Sequence, residues 1–240
     1  MHMKLVFFQW DHSPYARYAN YLLQHTQEHV RCLQQFFDVV VVNEDCDFGR
    51  ICDLHTPDLA LFEVGYQSHV SHRIEIRNTS AYPHVPKAAL LNADSWSWTR
   101  TGAMSDMERW GIGVCFSICT TVHDYMPEAL DALYCWPNFI DPAIFRDYGM
   151  DKSIPVMLTG MRNPLYPWRQ RVHPVLEQSY SCLVSPSHGY LDLTAARVLQ
   201  GERYARTLNA SLFAPTCGTM ANEVVRKHLE IPGAGACLVT

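Results

Sequence analysis

Missing from these 240 residues are a block of lysines and arginines, a bilayer-length apolar run, a paired-cysteine motif and every common glycine-rich phosphate fingerprint. Each absence removes a class of function. The formal net charge is −5 with its cations dispersed, so the electrostatic footprint of a nucleic-acid binder is lacking. The longest apolar run, Phe36 to Val42 and interrupted by Asp38, is far short of the roughly 20 residues a membrane helix needs. The amino-terminal stretch Met1 to Phe8 has no small-residue cleavage site after its apolar part and reads as a first strand, not a signal peptide. No Gly-x-Ser-x-Gly elbow supports Ser-His-Asp catalysis, and no Gly-x-x-x-x-Gly-Lys-Ser/Thr loop supports a P-loop. The nine cysteines are odd in number, form no Cys-x-x-Cys pair, and include Cys115 and Cys119 inside apolar runs. That usage suits reduced, buried thiols and a cytoplasmic location. His69-Val-Ser-His72, followed by His84, has ligand-like spacing, but no acidic or cysteine partners complete a set nearby, and no metal site is expected.

What is present is a globular composition, 48% hydrophobic and 18% charged. Apolar runs without alternation recur at crossover distances: Lys4–Trp10, Phe37–Asn43, Asp58–Val64, Ala88–Asn92 and Ile112–Ile118, with a helical pattern over Pro14–Arg31. Continuous apolar strands indicate parallel pairing with both faces covered, that is, a doubly wound α/β sheet. A second series follows Asp141: strands at Ile154–Thr159, Cys182–Ser185, Ser211–Ala214 and from Cys237, and helices at Pro167–Gln178, Gly201–Asn209 and Asn222–Glu230. Pro174 is expected to end or kink the first of these helices. The sequence thus predicts two Rossmann-like α/β domains, residues 1–140 and 141–240, the second incomplete. The apolar faces an incomplete sheet leaves uncovered would invite a homo-oligomer or another partner.

Candidate chemistry lies at strand ends. Gly160 closes the strand from Ile154 and would permit close backbone approach; Arg162, Arg169 and Arg171 follow, and one of the last two must face away from the other. The loop Trp10-Asp11-His12-Ser13-Pro14 offers Asp11 or His12 as a base or as an orienter of a hydroxyl, although Ser13-Pro14 also makes a plain helix start. Trp96 and Trp98, after Asp94, could stack on a flat group or simply pack. Near the carboxyl end, Glu230 is expected to end a helix, where a carboxylate opposes the macrodipole; that conflict favours a functional role.

Several segments, in order, resemble one family. Trp136-Pro-Asn-Phe-Ile-Asp-Pro-Ala-Ile-Phe145 is similar to the Pro-Asn-Gly-Val-Asp linker of GT-B glycosyltransferases, with Phe139 for the usual glycine and Ile140 for the valine. Pro86-Lys-Ala-Ala-Leu-Leu-Asn-Ala-Asp94 resembles a strand of the amino-terminal domain, and Lys152 to Gly160 the first strand and turn of the carboxyl-terminal one. Tyr204-Ala-Arg-Thr-Leu-Asn209 with Arg226-Lys-His-Leu-Glu230-Ile-Pro-Gly-Ala-Gly235 looks like the spore-maturation CgeB-like group and glycosyl transferase group 1. The resemblance spans roughly residues 80–240. It implies sugar transfer from a nucleotide-sugar donor to an acceptor, retaining and metal-independent, with no cofactor; the dispersed charge speaks against a nucleic-acid partner. It places Gly160, Arg162 and Arg169 at the donor diphosphate, with Arg162 also assigned to catalysis, and Glu230 at the ribose hydroxyls. Gly233 and Gly235 would turn the chain beneath the nucleotide. Many retaining members carry a glutamate where this chain has Asn222; Glu223 is one step away, which on a helix is a rotation of about 100°. A non-catalytic binding or scaffold protein is the alternative that this departure favours. A small-molecule enzyme built on the first half alone lacks the Gly-x-Gly-x-x-Gly fingerprint.

Overall fold

The structure, a computed structural model, describes residues 2–11, 21–65, 73–91, 99–136, 138–185 and 199–240. Two compact units result, one of Met1–Tyr15 with Val30–Pro137, the other of Ala16–His29 with Asn138–Thr240.

In the first unit the elements run β1 (Met3–Phe8), α1 (Tyr21–Leu33, whose last turn belongs here), β2 (Phe37–Val42), β3 (Cys46–Asp47), α2 (Phe48–His55), β4 (Leu59–Val64), β5 (Ile76–Arg77), β6 (Lys87–Leu91), α3 (Thr99–Trp110), β7 (Val114–Ser117), α4 (Val122–Tyr125) and β8 (Leu133–Cys135). Six strands form one sheet in the order β2-β1-β4-β6-β7-β8, every pair parallel. The short β3 and β5 pair separately.

The reason lies in the side chains. Along β1, β4 and β6 the buried residues divide by alternation: Val6, Phe8, Phe62, Val64, Ala89 and Leu91 join one cluster with Phe48 and Trp110, while Leu5, Phe7, Leu61, Ala88 and Leu90 join another with Leu33. Period-2 side chains that are apolar on both faces need cover on both sides, and parallel strands with helical crossovers supply it. Asp47 caps α2, its carboxylate accepting the Arg50 N–H at 3.1 Å.

The second unit contains β9 (Ile154–Leu158), α5 (Pro167–Ser179), β10 (Cys182–Val184), α6 (Gly201–Asn209), β11 (Ser211–Pro215), α7 (Lys227–Gly233) and β12 (Cys237–Val239). Its four strands are parallel in the order β10-β9-β11-β12. One core joins Phe145, Met157, Tyr204, Leu208, Ala214 and Ile231. On α6 the buried Tyr204, Ala205, Leu208 and Asn209 share one stripe. Buried Asn209 is satisfied at both ends, donating to Asp147 Oδ1 (2.8 Å) and Ala234 O (2.9 Å) and accepting from Met150 N–H (3.0 Å). Asp141, buried at the entry to this unit, holds the turn after Pro142 by accepting the Ala143 N–H at 2.9 Å. Leu183, Val184, Leu212, Phe213 and Val239 of this sheet are exposed.

Two sequence expectations are corrected here. Pro174 neither ends nor shortens α5, which continues to Ser179; the missing N–H removes one helical bond and the helix runs on past it. Residues 222–226 are not helical. Asn222 has φ 59°, in the left-handed region, so a helix cannot run through it, and α7 begins only at Lys227.

Candidate functional site

In an open parallel sheet, ligands bind outside the carboxyl ends of the strands where the winding reverses. In the second unit that point lies between β9 and β11, because β10 flanks β9 on one side and β11 on the other. β9 delivers Gly160 there, with φ 94°. A Cβ at this position would lie 2.6 Å from Arg169 Nη1 and 3.1 Å from Lys227 Cε, so only glycine lets the turn close against both cations.

Arg169, in the first turn of α5, is 2% exposed. Its guanidinium crosses to the end of β11, donating to Thr216 Oγ1 at 3.2 Å and Cys217 O at 3.4 Å, and stacks 4.0 Å from the centre of the Tyr166 ring. Its Nε makes no hydrogen bond and it forms no ion pair with a described residue. Arg171 is exposed and points away. Arg162 is half-buried and ion-paired with Glu177.

The loop after β11 completes the site. Gly218 packs so tightly that a Cβ would fall 2.5 Å from Glu223 O. Asn222 is exposed, whereas Glu223 is buried and accepts from Thr219 Oγ1 at 3.0 Å. Glu223 is not on a helix with Glu230, so no helical rotation separates it from the position of Asn222. Glu230 belongs to the first turn of α7 and not to a helix end, so the macrodipole favours its charge and the conflict read from sequence disappears. Its environment gives a better reason for attention. Glu230 is 3% exposed; Oε1 accepts from Arg226 Nε at 2.6 Å, while Oε2 has no hydrogen bond and its cation neighbour, Lys227 Nζ, is 3.9 Å away. Burial, with the like charges of Arg169 and Arg226, pulls the Lys227 ammonium below its usual range, and Glu230 opposes the shift.

Gly160, Arg169 and Glu230 thus come together with Lys227 and Thr216, which the sequence did not single out. Lys227 and Arg226 stand three and four residues before Glu230, a helical spacing that marks them once the helix start is placed at Lys227. Gly233 and Gly235 lie elsewhere. They belong with Lys152 and Asn209 at the amino ends of the strands, Lys152 donating to Gly235 O at 2.7 Å. Gly233 is required by packing, since a Cβ would meet Ile140 Cδ1 at 2.6 Å, and Gly235 by its φ of 75°.

His173, one turn beyond Arg169, is 1% exposed and neither ring nitrogen has a hydrogen-bond partner. Burial, reinforced by Arg162 and Arg169, lowers its pKa to about 4, against Glu177. The folded state then binds fewer protons than the unfolded state between about pH 4 and 6.5, so stability falls as pH drops through that window. His173→Leu is expected to flatten this dependence, by on the order of 2–3 kcal/mol across the window, in urea melts at pH 4.5 and 7.5.

The first unit has its own reversal point between β1 and β4. Glu63, 1% exposed near the end of β4, accepts the Trp10 N–H at 3.0 Å. The β1–β4 register, Phe8 opposite Phe62, brings Gln9 beside Glu63, and Gln9 Nε2 is buried without a partner. Asp11 follows, half-buried. Glu63 was hidden in sequence inside an apolar strand. His12, Asp94, Trp96, Trp98 and the His69–His72 pair lie outside the described residues. Among the described residues no cluster of three metal-ligating side chains occurs, and no helix is long and apolar enough to cross a membrane.

No protein-family model matches this sequence, and no curated protein matches it significantly. Solved structures do resemble it. An alpha-glucosyltransferase in complex with UDP and a 13-mer DNA containing an HMU base aligns with TM-score 0.53 and 9% identity over 99% of this chain and 79% of that one. The same kind of enzyme with UDP and a 13-mer DNA containing a central A:G mismatch gives TM-score 0.54 and 8% identity over 98% and 78%. With UDP-glucose and DNA containing an abasic site, the values are 0.53 and 9% over 99% and 79%. At such identity the likeness speaks for the fold alone. The chain has the GT-B fold of these glycosyltransferases, two Rossmann-like parallel α/β units, and spans about four fifths of their length.

Proposed function

We propose that this chain is a glycosyltransferase of the CgeB-like and glycosyl transferase group 1 kind, binding a nucleotide sugar on its second unit and an acceptor on its first. The observation that carries the reading is Arg169: a buried guanidinium with no carboxylate partner among the described residues, beside Gly160 and Lys227, at the winding reversal of a GT-B sheet. A buried cation in that state calls for an anion.

A sugar leaving a nucleoside diphosphate develops negative charge on the departing phosphate. Arg169, Lys227 and backbone N–H groups around Gly160 would stabilise it as it forms, with no metal required. Arg162 would join after exchanging Glu177 for phosphate. Glu230 Oε2 would accept from a ribose hydroxyl, a role for which a carboxylate suits better than an amide. Glu223, next to Asn222 at the family's first-glutamate position, would contact the sugar after exchanging its Thr219 hydrogen bond. On the first unit, Asp11, His12 and Glu63 are the groups to orient an acceptor hydroxyl. The net charge of −5, without a basic block, argues against DNA as that acceptor. A cytoplasmic location fits nine cysteines of which none is paired.

Binding without turnover is the second reading, favoured by the exposed Asn222 at the first-glutamate position. Thermal-shift titration against UDP, GDP, ADP, CMP and dTDP tests the common part. One nucleotide should give a saturable rise, worth about 2.7 kcal/mol at 100 times its dissociation constant. Absence of any shift from a cooperatively melting protein would remove the donor-site assignment; a shift without hydrolysis or transfer of the matching nucleotide sugar would favour the second reading.

A further inference from the structure

Arg226 is not placed to meet a ligand. Its side chain is 8% exposed and is held between two carboxylates that are almost wholly buried, Glu28 and Glu230. Nε donates to Glu230 Oε1 at 2.6 Å, while the Nη2 end is bound to Glu28 Oε2. The face of the guanidinium lies 5.6 Å from the centre of the Phe145 ring. Glu28 comes from α1, 198 residues earlier, and clusters with the second unit.

This arrangement leaves Glu230 asymmetric. One oxygen is fixed by a planar cation that is itself clamped at its far end; the other, Oε2, is buried, has no hydrogen-bond partner among the described residues and faces Lys227. A free carboxylate rotates about its last torsion and presents either oxygen. Here only one can be presented, in one direction.

We propose that Arg226 and Glu28 are positioning residues that fix Glu230 Oε2 as the acceptor for a ribose hydroxyl, so that recognition of the sugar ring of the nucleotide depends on a residue of the amino-terminal helix. This rests on the reading of the second unit as a nucleotide-sugar site. Arginine suits the task because its rigid fork spans two carboxylates at fixed angles; a lysine ammonium at the same place would be a point charge unable to orient both. Arg226 touches neither ribose nor phosphate in this scheme, so loss of the clamp should erase discrimination by the ribose and spare recognition of the phosphates.

The test compares calorimetric binding of three probes: the tightest binder among UDP, GDP and ADP, its 2′,3′-dideoxy form, and inorganic pyrophosphate. In the unmodified protein the ribonucleotide should bind at least tenfold tighter than the dideoxy form. Glu230→Gln should bring that ratio below threefold. Arg226→Lys should do the same while pyrophosphate affinity stays within twofold, a pattern a merely structural residue would not give. Glu28→Gln, which keeps an acceptor for the guanidinium, should lower the ratio part of the way. If Glu230→Gln collapses the ratio and both Arg226→Lys and Glu28→Gln leave it intact, the clamp is not needed and the inference fails alone. If the unmodified protein shows no ribose preference, or binds none of the probes, the donor-site reading fails and the inference with it.

Discussion

Arg226→Met should lower the unfolding free energy by about 3–5 kcal/mol, the cost of stranding buried carboxylates. Glu28 and Glu230 are about 3% exposed, and both bond to this one guanidinium. Without it neither can recover hydration, and the remaining cation near Glu230, Lys227, is 3.9 Å away. Dispersion contacts of methionine with Phe145 recover little of that loss. Urea unfolding with circular dichroism would measure it. Adding Glu28→Gln and Glu230→Gln removes the stranded charges and should return at least half of the stability. A single variant as stable as the parent would mean that water reaches these carboxylates.

Arg169→Met should have the opposite character: affinity for a nucleoside diphosphate falls roughly 100-fold, while stability is unchanged or rises. Both residues are buried arginines, so burial alone does not separate them. The difference is the partner. Arg169 forms no ion pair with a described residue and donates only to a hydroxyl and a carbonyl, at 3.2 and 3.4 Å. Its removal strands no anion and relieves the like-charge pressure on Lys227 and His173. Two charge-assisted contacts to a diphosphate at about 1.5 kcal/mol each make up the expected loss. Sites that sacrifice stability for function show this trade-off. A variant that melts much lower and binds nucleotide unchanged would make Arg169 a structural residue and remove the main support for the donor site.

How far each of these features could be read in advance differs by residue. The central strands of the first unit follow from runs such as Phe37–Val42 and Leu59–Val64, because a strand buried on both faces needs apolar residues at every position. Gly160 was legible as the end of a strand, and Arg169 through resemblance to GT-B glycosyltransferases; the structure closes the Gly160 turn against the Arg169 guanidinium. The helix before Glu230 was misread because its boundary is set by Asn222 in the left-handed region, a conformation the loop imposes through Gly218 and Thr219. Pro174 removes one helical bond without ending α5, which runs to Ser179.

Composition and local pattern by themselves determined that this is a two-part parallel α/β protein, since strand burial is a property of short segments. Only the tertiary structure decided which charges are partnered. Glu28 and Arg226 are 198 residues apart, and nothing in either neighbourhood marks them as a pair. Whether a buried charge is satisfied depends on what the rest of the fold brings within hydrogen-bond reach, and that distinction separates the clamp at Arg226 from the open cation at Arg169.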